Sequence, residues 1–404
     1  MQLVLNKRKS IYAEQRLVKP ADKVTLLLLF LGALNIINRD TYCFFIAFAW
    51  YILTNRKIAV STKVMPVLVF SLMLLLFWKT ARGTVTTMLS TFTYPICFIM
   101  GYGLLAKYAK TEDREHVFAV LVITLAAGNL LHMMLNAVSN LGVTNRNTVD
   151  IWTGTVIAAT GQAGLGIMAV GVCIAVLFSD QQRKYKLLAV IALALVMWYN
   201  LTLAGRTLIV MAAATALVAL AYRLSVKRSG RIKMLIMVLI ATAMVLFFYA
   251  SNAFGLREAI LDSNLYQRFT GNSTEEVTET GRWEIKYEYV KLLLDYPFGG
   301  GKIHSAAGGY AHDLYLDTYD EAGVFAFLTV VTFIVQSLIV TARLLKMKTV
   351  SLNLKLLALC VLLCLHMEFW VEPILAGMDW MIAVYCVIYG GMVCLTGRSV
   401  EAEQ

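Results

Sequence analysis

Apolar runs of roughly 15–25 residues recur along most of this chain, separated by short polar gaps, and runs of that length match helices crossing a ~30 Å hydrocarbon core. A soluble domain has too little polar surface to cover so many of them. Soluble domains are about 45–50 % apolar, whereas this sequence is 59 % hydrophobic with a mean hydropathy of +0.69. The expected fold is therefore an all-α polytopic membrane protein. Candidate spans fall near 24–37, 41–54, 64–78, 84–106, 116–138, 154–178, 187–200, 207–222, 232–250, 322–342, 352–367 and 380–397. That gives about twelve transmembrane helices, or ten if the first pair, hinged at Asn38, Arg39 and Asp40, does not cross. Three regions result: residues 1–250 with about nine spans, a long loop at 251–321, and 322–404 with about three spans.

The net charge of +11 would suggest a nucleic-acid partner in a soluble protein. Here the basic residues collect in alternate gaps between apolar runs, so they report orientation and no nucleic acid is expected. One set of gaps holds Lys7, Arg8 and Lys9, then Arg56 and Lys57, Lys107 and Lys110, Arg183 and Lys184, Arg223 to Lys233, and Arg343 to Lys355. By the positive-inside rule this set and both termini are cytoplasmic, which leaves Arg206 and the long loop outside. The start of the chain is too polar for too long to be a cleaved signal peptide. The seven cysteines all lie in apolar segments, where they read as packing residues. No internal repeat is visible.

Within the loop, Thr280 is placed to cap a helix through Leu294, with Arg282 in its first turn and Trp283, Tyr287, Val290 and Leu294 on one apolar face. Asp295 to Gly301 ends it, since Pro297 and three glycines cannot continue a helix. A guanidinium is expensive in hydrocarbon, so Arg206 between two apolar runs must snorkel, pair or serve a site. Arg282 sits at the dipole end that favours anions, a poor place for a purely stabilising cation and a good one for a phosphate clamp. Arg257 and Arg268 are weaker candidates for the same role. Of the five histidines, His312, just before Asp313 and the return to the membrane, is best placed to move a proton, with His304 a second choice. The acidic residues from Asp317 to Asp320 have no expected metal-ligand partner of another type, so no metal or other cofactor is called for. Glu368, Glu372 and Asp379 are open to binding acceptor sugars, to receiving a proton, or to being plain loop surface.

The ordered segments AGRT (204–207), TGRW (280–283), LLLDYPFGGG (292–301) and AHDLYLDTYDEAG (311–323) resemble the bacterial O-antigen polymerase and O-antigen ligase superfamily, GT-C-type integral membrane glycosyltransferases. The likeness covers about 195–345 together with the many-span layout. It implies that Arg206 and Arg282 engage the pyrophosphate of an undecaprenyl-linked glycan and that His312 assists transfer. Asp313 stands where that family usually has asparagine. Asp313, Tyr315 and Arg268 are further candidate substrate contacts, and the resemblance implies an inner-membrane location with a periplasmic site and an inverting transfer that needs no metal. Its implied partners are an undecaprenyl-pyrophosphate-linked oligosaccharide, membrane lipids, a chain-length regulator and a flippase.

A polymerase passes the glycan to another lipid-linked repeat unit, whereas a ligase passes it to lipid A–core. Asp313, Glu321 and the aromatic Tyr310, Tyr315 and Tyr319 favour the polymerase. A lipid-linked-sugar transporter is a further alternative, which would place ionisable groups near several helix midpoints. Reporter fusions after Lys184 and Arg228 are expected to read cytoplasmic, and a fusion near Thr274 periplasmic. An internal Thr274 would remove the case for an outward-facing site.

Overall fold

Hydrocarbon offers backbone amides no partner but one another, so apolar runs become helices and polar termini sort to the two ends. The computed structural model describes residues 18–55, 58–79, 85–143, 146–227 and 278–397, with short pieces between 232 and 266. It contains α1 (Pro20–Ala33), α2 (Asp40–Thr54), α3 (Met65–Leu74), α4 (Val85–Ala106) and α5 (Thr111–Ser139). A hairpin follows, β1 (Asn147–Val149) and β2 (Val156–Ala158), then α6 (Ala159–Phe178), α7 (Arg183–Thr202) and α8 (Thr207–Val226). Beyond a short α9 (Leu256–Leu261) come α10 (Thr278–Leu292), α11 (Ile303–Ala307), α12 (Leu314–Lys346), α13 (Leu352–Val371), α14 (Ile374–Gly377) and α15 (Trp380–Gly397). Among the described residues, eight helices are long and apolar enough to cross a membrane: α4 (over Met88–Ala106), α5, α6, α7, α8, α12, α13 and α15. Asp40–Thr54 and Thr62–Phe77 are shorter apolar helices. The protein is a mostly α-helical, multi-spanning membrane protein. Most of the expected span at 232–250 lies outside the described residues.

Sequence chemistry fixes several helix ends. Pro20 opens α1, where its missing N–H costs nothing. Glu112 and Asp113 sit in the first turn of α5, and Arg343 and Lys346 in the last turn of α12, each complementing the helix dipole. Ser351 caps α13 by accepting from Leu354 N–H, and Asp313 caps α12 by accepting from Tyr315 and Leu316 N–H.

The core is centred on α15, whose residues Met381 to Leu395 are all buried. It lies against α4 through two glycines. A Cβ at Gly101 would run into the Val387 carbonyl, and one at Gly390 into the Phe98 carbonyl, so only hydrogen side chains allow this approach. The two ends of the bundle differ in chemistry. At one, Lys107 pairs with Asp22 at 2.5 Å, Asp180 holds Arg223 at 2.5 Å and Lys227 at 2.7 Å, and Glu115 accepts from Ser351 N–H at 3.0 Å. The other carries Arg146, Arg206, α10 and the 371–379 turn.

Three boundaries depart from expectation. The span expected from 154 starts at Ala159, because residues 147–158 pair as a hairpin. The helix expected at 322 starts at Leu314, so LYLDTYDEA is helical rather than loop. At 33 residues α12 is about 50 Å long, more than the hydrocarbon core needs. Its outer portion is set off by a break at Gly323 (φ 80°, ψ −177°), a conformation that L side chains rarely adopt. Residues 297–301 satisfy the backbone exposed there: Val324 N–H donates to Pro297 O, Gly301 N–H to Asp320 O and Gly300 N–H to Glu321 O. Thirdly, α10 begins at Thr278, so Thr280 lies inside it and Arg282 is past its first turn. The favourable interaction of a bound anion with that helix's dipole is correspondingly weaker at Arg282.

Overpacking at a close helix crossing costs about 1–3 kcal/mol. Gly390→Ala is therefore expected to lower the thermal midpoint followed by tryptophan fluorescence in detergent. Gly377→Ala, where a Cβ meets open space, serves as the control and should leave it unchanged.

Candidate functional site

The hairpin is held by polar side chains on α5 and α6, an unusual load for apolar helices. Asn140 exchanges two 2.8 Å hydrogen bonds with the backbone of Val149. Asn136 Oδ1 accepts from Ile151 N–H at 2.9 Å, and its amide donates to Asp150 at 3.3 Å. His132 Nε2 lies 2.7 Å from Asp150 Oδ2, and Gln162 donates to Thr148 at 3.0 Å. This buried network fixes the backbone immediately after Arg146. The α7–α8 turn is fixed similarly, Asn200 Nδ2 donating to Gly205 O at 2.6 Å and so placing Arg206 at the head of α8. A small crevice is lined by Arg146, Thr160, Asn200, Gly205, Arg206 and Thr207.

Three arginines crowd this corner. Burial first, then the charges of Arg146 and Arg282, lower the pKa of Arg206. An arginine does not deprotonate for that reason, so the positive potential remains and favours an anion. Arg282 donates to Val371 O at 3.4 Å and stands 3.9 Å from Glu372 Oε1. One turn along α10, Lys286 Nζ donates to Asp313 Oδ2 at 3.1 Å and to Trp370 O at 2.7 Å.

His312 has φ 53°, a left-handed conformation uncommon for a non-glycine residue and one that stores strain at a site. Its Nδ1 is buried without a hydrogen-bond partner. Burial first, then Arg282 and Lys286, push the imidazole down to about 4. The surroundings thus disfavour the charged form, although a neighbouring carboxylate by itself would favour it. The Asp313 carboxylate is committed to capping α12 and to Lys286. At neutral pH His312 is a neutral imidazole.

Beside this polar cluster opens an apolar cavity of about 870 Å³. Its mouth carries Trp283, Lys286, Asp313 and Tyr315, and its walls are Val331, Ile334, Leu338, Leu359, Leu362 and Leu363 of α12 and α13. Tyr315 tilts against Trp370 with ring centroids 5.1 Å apart. On α10, Ile285, Tyr289 and Leu292 pack inward on a small cluster with Ile303, Ala311 and Tyr319. Trp283 and Leu294 are 78 % and 89 % exposed, and Tyr287 and Val290 are exposed too. An apolar stripe turned outward at the end of a membrane bundle fits a helix lying in the interface.

Of the residues singled out in the sequence, Arg206, Arg282, His312, Asp313 and Tyr315 thus gather at one end of the bundle. Arg268 lies outside the described residues. Arg257 is exposed near Asn252, to whose side chain its backbone N–H donates. His304 takes a different part: its Nδ1 is 2.9 Å from Asp320 Oδ2, and its ring stacks on Tyr310 at 4.8 Å. The Asp317–Asp320 turn therefore does have a histidine beside it, and His304, Asp320 and Glu321 have ligand atoms within 4.8 Å of one another. Asp320 also accepts from the Ile303 and His304 N–H groups, an arrangement that caps α11 and needs no ion to account for it.

Sequence reasoning missed the weight of Arg146 and Lys286, which looked like ordinary loop charges, and left Glu368 and Glu372 undecided. Neither glutamate is loop surface: they are 0 % and 1 % exposed. Their four-residue spacing at the end of an apolar run was the available signal.

This fold and cluster define a polytopic α-helical membrane protein with a cluster of cations and buried carboxyl groups at one end and an apolar cavity beside it. No protein-family model matches the chain, and no curated protein matches it.

The depressed imidazole has a consequence for stability. Unfolded His312 takes up its proton near pH 6.5 and the folded state only near 4, so acidification through that window favours unfolding. The melting temperature of His312→Gln is expected to fall less than that of wild type between pH 7 and 4.5, measured by circular dichroism in detergent.

Proposed function

We propose that the protein is a glycosyltransferase that moves a glycan from a polyprenyl-pyrophosphate donor to a sugar hydroxyl of a second lipid-linked repeat unit, on the external face of the bacterial inner membrane. The observation that carries this reading is the meeting of Arg146, Arg206, Arg282 and Lys286 beside a large apolar cavity. A ligand suited to both halves is amphiphilic: anionic where it meets the arginines and apolar where it enters between α12 and α13. A prenyl diphosphate has that form. The resemblance noted in the sequence supplies the reaction.

In this mechanism the prenyl tail occupies the cavity and the diphosphate lies across Arg206 and Arg282, with Arg146 as a third contact. Charge on the leaving diphosphate grows as its bond to the anomeric carbon lengthens. Fixed guanidinium groups in a partly dry site then stabilise the transition state more than the ground state. The acceptor hydroxyl attacks from the opposite face and inverts the configuration. Tyr315 and Trp370 at the cavity mouth offer ring faces to a sugar. Neutral His312 lines the approach, able to donate or accept a hydrogen bond without adding charge. Ionisable side chains gathered at the helix ends fit an enzyme better than a transporter.

The test is purified protein supplied with lipid-linked repeat units, with and without lipid A–core. Elongated lipid-linked glycan is expected; transfer to lipid A–core alone would make the protein a ligase, and no transfer would overturn the reading. Arg206→Lys and Arg282→Lys, at matched protein level, are each expected to lose about a hundredfold in rate, ~3 kcal/mol of barrier. A lysine retains the charge but not the two-pronged grip on phosphate.

A further inference from the structure

Glu368 and Glu372 are four residues apart at the end of α13, so their side chains leave the same face. Both are buried, and their carboxyl oxygens lack a well-formed hydrogen-bond partner. Buried carboxyl groups in that condition are costly to maintain and point to a role in a site. The neighbours of Glu372 come from several elements: Thr160 from α6, Arg282 and Lys286 from α10, Arg146 from the segment before β1, and Glu368 from its own helix. Arg282 Nη1 is the closest cation, 3.9 Å from Glu372 Oε1. Glu372 is therefore a carboxylate set among the cations assigned above to the diphosphate.

We propose that Glu372, backed by Glu368, takes the proton of the acceptor hydroxyl during transfer, an inference that rests on the glycosyl-transfer reading. The step balances in atoms and charge. The bond between the anomeric carbon and the diphosphate oxygen breaks, and its electron pair leaves with that oxygen. The acceptor oxygen bonds to the anomeric carbon, and its proton passes to the Glu372 carboxylate. Before transfer, Arg146, Arg206, Arg282 and Lys286 face the carboxylates Asp313 and Glu372 and a doubly charged diphosphate diester. Afterwards the leaving diphosphate carries one more negative charge and Glu372 one fewer, so the sum is unchanged. Proton transfer to His312 would instead set a new cation beside Arg282 and Lys286, the two charges that already resist it. Burial raises the affinity of Glu372 for a proton above that of an ordinary carboxylate, which makes it the stronger base.

The experiment uses the full-length protein in lipid nanodiscs with a lipid-linked repeat unit as donor and a second as acceptor. Single-turnover rates are followed across pH, and donor affinity is measured separately. Glu372→Gln is expected to bind donor at least as tightly as wild type and to transfer at least a hundredfold more slowly, within the usual range for loss of a general base. The wild-type rate falls on the acidic side as Glu372 becomes protonated, and the residual rate of Glu372→Gln lacks that limb. Glu372→Asp, which keeps a shortened carboxylate, recovers part of the rate and the limb. A Glu372→Gln rate within tenfold of wild type overturns the proposal, as does a Glu372→Asp variant no faster than Glu372→Gln. Wild-type protein that binds donor but transfers no glycan overturns the function itself, and this proposal with it.

Discussion

The ammonium of Lys286 is a polar tie among three parts of the chain that also touch through apolar side chains. It reaches the Asp313 carboxylate that caps α12 and the Trp370 carbonyl at the end of α13, and it is carried by α10. Asp313 is almost fully buried, so this carboxylate would be costly without a partner. Removing the lysine would leave that carboxylate without its cation and remove one of the ties between α10 and the two membrane helices. His312 and the cavity mouth both lie beside that tie.

Around it the electrostatics are divided. Cations come from the hairpin approach, the head of α8 and α10, while carboxyl groups come from α12 and the end of α13. Because opposite charges arrive on different elements, the cluster is assembled only when the tertiary structure is complete. His312 is held neutral in the middle of this arrangement by burial first and then by the cations Arg282 and Lys286. A residue that looked in the sequence like a proton carrier is, in its surroundings, closer to a fixed hydrogen-bonding group.

Much of the bundle was legible because length and apolarity are nearly sufficient to specify a membrane helix. The ends were less so. LYLDTYDEAG is polar enough to look like loop, yet it is helical: Asp313 caps it, and Asp320 is buried by accepting backbone N–H groups from residues 303 and 304. The cap is local, but nothing within ten residues of Asp320 announces its partners. The hairpin at 147–158 was missed for a similar reason, its strands being three residues each and held by Asn136, Asn140 and Gln162 on neighbouring helices. Arg206, Arg282 and His312 stood out because charge beside hydrocarbon demands a reason. Arg146 and Lys286 did not, since a loop cation is unremarkable until its neighbours are known.

The outward stripe on α10 gives the surrounding lipid a part in the architecture. Trp283 and Val290 line the cavity as well as facing outward, so one boundary of that space is formed where protein meets acyl chain. The bilayer is then a wall of the chamber rather than its container. Two membranes of different composition would present the same polypeptide with chambers of different shape.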